Sequence, residues 1–392
     1  MKRVNFIWTF ILLIIIGCEG NKPSTDDLIV VDVTVSYPMQ ELILQDFMDV
    51  EYVELESTDD FLCQGIVLDV GKDIMLIKNQ IDDGDIFVFD RKGKGLSKFN
   101  HRGQGPEEYS SLGRMITLDE DNGEIFVHDF GKGILVYDLY GKFLRRFSLR
   151  KDVSYASIQN YDREHLICGE STFLADEKST ESQACAIISK KDGSKVNDIQ
   201  IHFEKRVNTM VIPEGLGMAI PLPANINKSI IPYHNSWIVT EFSSDTIFRL
   251  LPDFSMTPFM ARTPSIHSMN PEIFLIPIVL TDRYYFIETL KKEVERIPGF
   301  FPRIKLIYDR QEKTIHRYTI CNDDYITPKT LEFSSLSFYT SMNNEIAFVQ
   351  KIEAYELVGS NKKGELKGKL KEVAAELVED SNPVIMLVKH KR

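Results

Sequence analysis

The stretch from Asn100 to Tyr109 concentrates residue types that could bind a ligand. Gly103 and Gly105 permit backbone conformations that other residues resist, and Pro106 stiffens the end of the stretch. A rigid loop of this kind could present charged side chains and an aromatic ring to one ligand. The candidate ligand-binding residues are Arg102, Gln104, Glu107, Glu108 and Tyr109. The alternative is a structural loop in which the arginine and the glutamates pair locally.

Two acidic stretches contain residue types that bind metal ions. Asp119–Glu124 has the composition of a calcium loop, but it lacks the glutamate spacing of an EF-hand and contains the turn pair Asn122-Gly123. Residues 82–85 could contribute carboxylates to a divalent site only together with groups from elsewhere in the chain. Solvated turns explain both stretches. We therefore predict no metal ligand, no cofactor and no catalytic residue.

Composition and motifs exclude several function classes. The formal net charge of -12 disfavours nucleic-acid partners, because phosphate contacts need clustered Lys and Arg. The sequence contains no His-Glu-x-x-His, Gly-x-Ser-x-Gly or Gly-Lys-Ser/Thr motif. Beyond Cys18, the cysteines are too widely spaced for a zinc site or a disulfide scaffold. We expect buried free thiols, with a Cys168–Cys185 disulfide as the alternative.

The N-terminus has the pattern of an export signal. Lys2 and Arg3 precede an apolar run from Phe6 to Ile16, which is short for a membrane span. Gly17-Cys18 after two isoleucines resembles the lipobox of bacterial lipoproteins. We expect residues 1–17 to be a removed signal peptide, Cys18 to carry the lipid (palmitate among its acyl chains), and residues 18–27 to be a tether. The alternative is an uncleaved N-terminal anchor. Both place the body of the chain in the bacterial cell envelope.

A hairpin pattern repeats along the body of the chain and predicts its fold. Ile86–Phe99, Ile134–Phe147 and Lys305–Tyr318 each contain an alternating strand, a tight polar turn and a second strand. Short strands at this spacing predict an all-β, six-bladed β-propeller over residues 28–392, with four-stranded blades. The predicted blades lie near residues 65–100, 112–149, 154–201, 229–261, 276–318 and 332–388.

Two further segments complete the predicted propeller. Val50–Glu56 is an isolated strand, which we expect to close the sixth blade as its outer strand. Leu366, Leu370, Val373 and Leu377 recur at helical spacing and predict one amphipathic helix inserted into that blade. All predicted short turns fall on one face of the ring. The long connections fall on the opposite face, where we expect a partner to bind.

The hairpins and the loop Gly103–Tyr109 resemble NHL-like or TolB-like propeller repeats. More closely, the chain resembles a family of bacterial six-bladed propeller lipoproteins that carry a Gly-x-Gly-Pro-x-Glu-Tyr loop. That family also ends in a helix, an Asn-Pro-Val strand and a basic tail, matched here by Asn382–Val384 and residues 389–392. The resemblance implies the fold and the envelope location, and it implies no single reaction.

Three functions of different class are consistent with the sequence. The first is a monomeric, envelope-anchored binding or scaffold lipoprotein, held to the membrane by Cys18, that engages a protein, peptide or glycan through its long-loop face. The second is a metal-assisted hydrolase or lactonase-like enzyme, which requires Asp, Glu, His or Asn side chains around an axial ion. The third is a sugar-cleaving or sugar-binding propeller with paired carboxylates.

Overall fold

Residues 85–90 show why the apolar runs of this chain form stacked sheets. In the computed structural model of the protein, Ile86 and Val88 pack on one side of their strand, against the sheet that follows in the sequence. Phe87 and Phe89 pack on the other side, against the sheet at the C-terminal end. Successive side chains alternate across a strand, so a strand that is apolar on both sides needs cover on both faces. Sheets stacked around an axis provide that cover.

The structure describes residues 28–113, 115–129, 131–149, 155–170, 180–212, 219–222, 229–294, 301–335, 337 and 343–391. They form a six-bladed β-propeller, which confirms the predicted fold. The segments predicted as signal peptide and tether, including Cys18, lie outside the described residues. No helix among the residues that the structure describes is long and apolar enough to span a membrane.

Three strands near the N-terminus precede the first blade: β1 (Ile29–Asp32), β2 (Met39–Ile43) and β3 (Met48–Glu54). Blade 1 contains β4 (Ile66–Val70), β5 (Ile74–Lys78), β6 (Asp85–Asp90) and β7 (Gly95–Asn100). Blade 2 contains β8 (Ile116–Asp119), β9 (Glu124–Asp129), β10 (Gly133–Asp138) and β11 (Phe143–Phe147). Blade 3 contains β12 (Tyr155–Asn160), β13 (His165–Glu170), β14 (Glu181–Ser189) and β15 (Lys195–His202).

A small hairpin, β16 (Met210–Val211) and β17 (Ile220–Pro221), separates the third and fourth blades. Blade 4 contains β18 (Ile230–Tyr233), β19 (Ser236–Val239), β20 (Thr246–Leu250) and β21 (Met256–Thr263), followed by a 3₁₀ turn at Ile266–Ser268. Blade 5 contains β22 (Ile273–Leu280), β23 (Tyr284–Lys291), β24 (Arg303–Asp309) and β25 (Thr314–Asn322), and β26 (Lys329–Leu331) pairs with its end.

Blade 6 joins the two ends of the chain. Its described strands are β27 (Ile346–Ile352), β28 (Val384–His390) and β3, which pairs antiparallel with β28 as the outer strand. The predicted closure of the ring by an N-terminal strand is therefore confirmed. The start of the predicted sixth blade, residues 332–342, falls partly outside the described residues.

The residues before β3 add strands that the sequence did not predict. Strand β1 pairs in parallel with β21 of blade 4, and β2 pairs in parallel with β25 of blade 5. A short helix, α1 (Leu44–Phe47), then leads into β3. We call residues 29–54 the N-terminal band, because they run along the outer edges of blades 4, 5 and 6. Val31 and Leu44, both fully buried, anchor the band to the blades.

The insertion in blade 6 contains two short helices where one was predicted. They are α2 (Ala354–Lys362) and α3 (Gly368–Glu376). Leu366 and Leu370 are buried in the apolar cluster that also contains residues of blades 5 and 6. The expected apolar side therefore packs on the propeller. Helix α3 corresponds to the predicted helix, and α2 was not predicted. Gly364, with a φ of +71°, ends α2 in a conformation that glycine adopts without strain and so separates the two helices.

Tight turns define one face of the ring. In blade 1, the Asp90 carboxylate accepts hydrogen bonds from the backbone amides of Lys92 and Lys94 at 2.8 and 2.9 Å, and Gly93 has a φ of +85°. Asp138 makes the same pair of contacts in blade 2, at 2.9 Å each. We call this side the short-turn face. The opposite side, with the connections between second and third strands and between blades, is the long-connection face.

Candidate functional site

The loop that follows blade 1 is stabilised by hydrogen bonds of its own buried tyrosine, Tyr109. Tyr109 is fully buried, and its hydroxyl donates to the Gly84 carbonyl at 2.6 Å and accepts from the His101 amide at 2.8 Å. Glu108 accepts a hydrogen bond from the Gly105 amide at 2.7 Å. Burial raises the pKa of Tyr109 above its usual range. The tyrosine therefore stays a neutral anchor between the first two blades.

Blade 2 fastens the same loop through a single lysine. The Lys132 ammonium donates to the carbonyl oxygens of Gly103, Gly105 and Glu108 at 3.1, 3.2 and 2.8 Å. Carbonyls that converge on one cation fix the path of the backbone, and hydrogen bonds to a charged group are worth about 1.5–3 kcal/mol each. A Cβ atom at Gly103 would overlap the Glu108 carboxylate, so this glycine leaves room for that side chain inside the loop.

The remaining candidate residues of the loop point outward. Arg102, Gln104 and Glu107 are exposed, and Arg102 lies 4.0 Å from the Asp82 carboxylate. The structure thus brings the five candidates into one loop, with Tyr109 and Glu108 occupied by internal hydrogen bonds. Ligand binding by this loop stays a prediction.

Exposed apolar side chains are concentrated on the long-connection face. Six large apolar residues on its connections are at least 58% exposed, and they are Leu62, Ile81, Ile212, Ile326, Tyr355 and Val378. On the turns of the short-turn face, Tyr140 is the one such residue in the part of the chain that the structure describes. The six come from connections in or between blades 1, 3, 4, 5 and 6, so the apolar surface is distributed around the ring.

The short-turn face contains a cavity of about 650 Å³ under blades 4, 5 and 6. The N-terminal band forms one wall with Glu41 and Asp46, and the first turns of blades 4 and 5 contribute His234 and Asp282. The end of β28 adds His390. We call this space the short-turn cavity. A volume of this size falls within the usual range for small-molecule sites.

Two histidines and an aspartate share an electrostatic environment in this cavity. The His234 Nε2 atom lies 3.3 Å from the Asp282 carboxylate. Burial lowers the pKa of His390 to about 4, while the Asp282 carboxylate opposes this shift and His234 adds to it. His390 is consequently neutral at pH 7 and can accept or donate one hydrogen bond at each ring nitrogen.

The acidic stretches behave as the turn interpretation predicts. Asn122 and Gly123 form the turn between β8 and β9, where the Asn122 amide donates to the Asp119 carboxylate at 2.7 Å. Asp83 binds the side chain of Asn79 at 2.6 Å, and Asp85 pairs with Lys98 at 2.9 Å. In the described parts of the chain, no three His, Cys, Asp or Glu residues are arranged to hold a metal ion.

The four cysteines of the propeller are free and buried: Cys63, Cys168, Cys185 and Cys321. Cys168 and Cys185 lie on the neighbouring strands β13 and β14, and Cys185 pairs in register with Gly169. Burial raises the pKa of both thiols well above the usual range. Unreactive thiols, rather than a disulfide, are therefore what the structure contains at these positions.

A family model, described as a domain of unknown function and designated DUF4934, matches residues 28–389. The chain belongs to this family. The matched range coincides with the propeller and leaves out the predicted signal peptide and tether. No curated protein matches the sequence.

Two solved structures are similar to this DUF4934 chain. A Bacteroides fragilis protein, named as a candidate exported protein, is 14% identical with a TM-score of 0.54, over 90% of this chain and 99% of its own. A member of the DUF4221 family from Bacteroides vulgatus is 9% identical with a TM-score of 0.46, over 88% and 98%. The first of these similarities shows the fold alone.

Local sequence patterns could not have identified the short-turn cavity. Its lining comes from five separate segments, around residues 41–47, 232–234, 280–284, 344 and 390–391. None of these segments contains a recognisable motif. His234 and Asp282 lie in turns between consecutive strands, where polar residues are common, so their residue types gave no signal of a site.

Proposed function

We propose that this DUF4934 protein is a lipid-anchored binding module of the bacterial cell envelope, which engages a protein partner through its long-connection face. The observation that carries the proposal is the set of six exposed apolar side chains on that face, compared with Tyr140 alone on the described turns opposite. Large apolar side chains of this kind contribute to the buried centre of protein interfaces, which is more apolar than the rest of the surface.

The rigid loop after blade 1 supports this function. Lys132 and Tyr109 hold its backbone, so Arg102, Gln104 and Glu107 are presented on an ordered surface. A preorganised surface loses less conformational entropy when it binds. These exposed polar residues would form a rim beside the apolar positions, as in many protein interfaces.

The anchoring part of the proposal rests on the N-terminal sequence. The lipobox-like Gly17-Cys18 and the name of the similar Bacteroides fragilis protein both favour export. The acyl chains on Cys18 would provide the membrane affinity through their burial in the bilayer. We expect Cys18→Ser to release the folded protein from the membrane fraction, and retention of this variant there would refute the lipid anchor.

Site-specific photo-cross-linking in living cells tests the binding face. A photoreactive amino acid at Ile81 or Ile326 should give a discrete cross-linked product, and the same amino acid at Tyr140, 77% exposed on the opposite face, should not. The product should weaken when the other apolar position is changed to serine. Equal products from both faces, or from Tyr140 alone, would contradict a partner on the long-connection face.

A further inference from the structure

A second group of exposed apolar side chains lies around the start of the N-terminal band, away from the proposed protein interface. Four large apolar residues within twelve positions are between 45% and 58% exposed, and they are Leu28, Val30, Val35 and Met39. We call these four residues the band patch. The outer strands of blades 1, 2 and 3 each have one such residue, and they are Leu96, Leu144 and Val196. Single exposed apolar residues are ordinary, so the four of the band patch require a physical reason.

The band patch lies on the outer side of the propeller. Val31, Val33 and the ring of Tyr37 pack inward, in an apolar cluster with residues of blades 4 and 5. Successive side chains of a strand point to opposite sides, so Val30 points away from the cluster that contains Val31. Strands β1 and β2 are the outermost strands of their sheets, and in the described part of the chain no further strand pairs with their outer edges. The patch is therefore open to a partner outside the propeller.

The charged groups around the patch are compatible with the surface of a lipid bilayer. The first twelve described residues contain one charged side chain, Asp32, whose carboxylate accepts hydrogen bonds from the amide and the hydroxyl of Thr34 at 2.9 and 2.6 Å. Exposed Arg317 pairs in register with Met39, so its guanidinium lies on the same face and can donate to a lipid phosphate. Glu41, two positions further along β2, marks the end of the patch.

The tether limits where the propeller can lie relative to the bilayer. Residues 18–27 join the proposed lipid site at Cys18 to Leu28, and these ten residues span at most roughly 35 Å. A domain of this size is about 50 Å across. Leu28 and the outer edge of blade 4 therefore cannot lie on the side of the propeller that is remote from the membrane.

We propose that the propeller docks edge-on against the bilayer, with the band patch in contact with the boundary between lipid headgroups and acyl chains. The inference rests on the proposed lipid anchor at Cys18. Once the anchor is inserted, docking is an intramolecular step, so a small apolar surface is sufficient. Burial of the patch removes apolar surface from water, which is the same driving force that holds interfacial helices on membranes.

Edge-on docking also orients the proposed protein interface. In a ring of six blades, blade 1 is opposite blade 4. The loop after blade 1 and the exposed Ile81 would then lie on the side of the propeller away from the bilayer, where a partner can reach them.

Cysteine modification on phosphatidylcholine vesicles tests the docking. The full-length lipidated protein, carrying Val35→Cys or Met39→Cys, is inserted into preformed vesicles and treated with a membrane-impermeant maleimide. The four native cysteines of the propeller are buried. The reference is the unlipidated Cys18→Ser protein with the same added cysteine and the same vesicles. A thiol that is accessible in one molecule out of ten reacts about tenfold more slowly, so we expect at least about tenfold slower modification of both positions in the lipidated protein.

The variant Leu96→Cys is the matched control. Leu96 is 46% exposed, compared with 45% for Val35, and it lies on the outer strand of the opposite blade. Its modification rate should be the same with and without lipidation. The double change Val30→Asp with Met39→Asp should restore fast modification of Val35→Cys on vesicles, because carboxylates are costly to bury in a bilayer. The thermal unfolding of its unlipidated form should match that of the parent protein.

Four results would overturn the proposal. Vesicle-bound protein in which Val35→Cys reacts as fast as in the unlipidated reference would contradict docking and leave the anchor in place. Equal slowing at Val35→Cys and Leu96→Cys would mean that the vesicle shields the whole propeller. Slow modification that persists in the aspartate variant would mean that another surface contacts the bilayer. A lipoprotein that does not sediment with the vesicles would contradict the lipid anchor itself, which separates failure of the anchor from failure of docking.

Discussion

Apolar clusters join neighbouring blades in both halves of the ring, but the first three blades and the last three differ in the contacts that add to this packing. Between blades 1 and 2, the Lys132 ammonium binds three carbonyls of the connecting loop. Between blades 2 and 3, Lys190 and Asp119 form a buried ion pair at 2.6 Å. Blades 4, 5 and 6 share the N-terminal band instead, and a large apolar cluster joins blades 5 and 6.

These two modes differ in how far apart their partners lie in the sequence. The Lys190 ammonium and the Asp119 carboxylate are separated by 71 residues, and Lys132 contacts residues fewer than 30 positions away. In contrast, the Gln45 side chain binds Asn322 at 2.7 Å across 277 residues. The early blades can therefore form their links as the chain grows, whereas blade 6 closes only when both ends of the chain are present.

Deletion of the N-terminal band should have the largest effect, because the last three blades depend on it and the first three do not. Joining the tether directly to Leu55 removes residues 28–54 and leaves the buried strand β28 with an open edge. The loss should exceed the roughly 5–15 kcal/mol by which a native protein is stable, so we expect aggregation or an unfolded chain. Circular dichroism and size-exclusion chromatography measure this outcome.

A shorter deletion provides the control for the band. Removing residues 28–43 takes away β1 and β2 but keeps β3, which closes the ring. We expect a folded monomer with a lower melting temperature. If the shorter deletion is as damaging as the longer one, ring closure by β3 is not the main contribution of the band.

A smaller effect should follow from the change Lys190→Met. It leaves the Asp119 carboxylate, fully buried, without the ammonium that neutralises it. Breaking a buried pair from one side costs about 3–5 kcal/mol, which urea unfolding can measure. The matched control Lys191→Met changes an exposed neighbour and should alter stability by no more than about 0.5 kcal/mol. Similar losses in both variants would show that the ion pair does not join blades 2 and 3.

The smallest expected effect concerns acid sensitivity in blade 2. Burial lowers the pKa of His128 to about 4, against a small opposing influence from Asp129. The unfolded chain binds a proton on His128 more tightly than the folded protein does. The contribution of neutral His128 to the free energy of unfolding is therefore complete above pH 6.5 and is lost as the pH falls towards 4. Between pH 7 and pH 5 the loss should be about 2 kcal/mol.

The variant His128→Gln isolates this contribution. Asp69, whose pKa burial raises to about 6, changes stability in the opposite sense over part of the same range. Urea unfolding at both pH values should show a smaller loss of stability on acidification for the variant than for the parent protein, by about 2 kcal/mol. An identical pH dependence would mean that His128 is protonated in the folded state.

Much of the fold could be predicted because the blades repeat. The alternation in Ile86–Phe99 and Ile134–Phe147 predicted blades 1 and 2 within a few residues of β4–β11. The isolated strand predicted at Val50–Glu56 is β3, at Met48–Glu54. The NHL-like or TolB-like character of the repeats stays a prediction. Strands β1 and β2 were missed, because parallel pairing with β21 and β25 leaves no pattern in the short segments themselves.

The sequence by itself determined the all-β class, the number of blades, the turns and the closing strand, because alternation and turn residues act over a few positions. Only the tertiary structure decided the course of the N-terminal band, the additional helix α2 of the insertion and the short-turn cavity. Glu41 and Asp282 line that cavity together although about 240 residues separate them. Such a site depends on how blades stack around an axis, and stacking is a property of the whole closed ring.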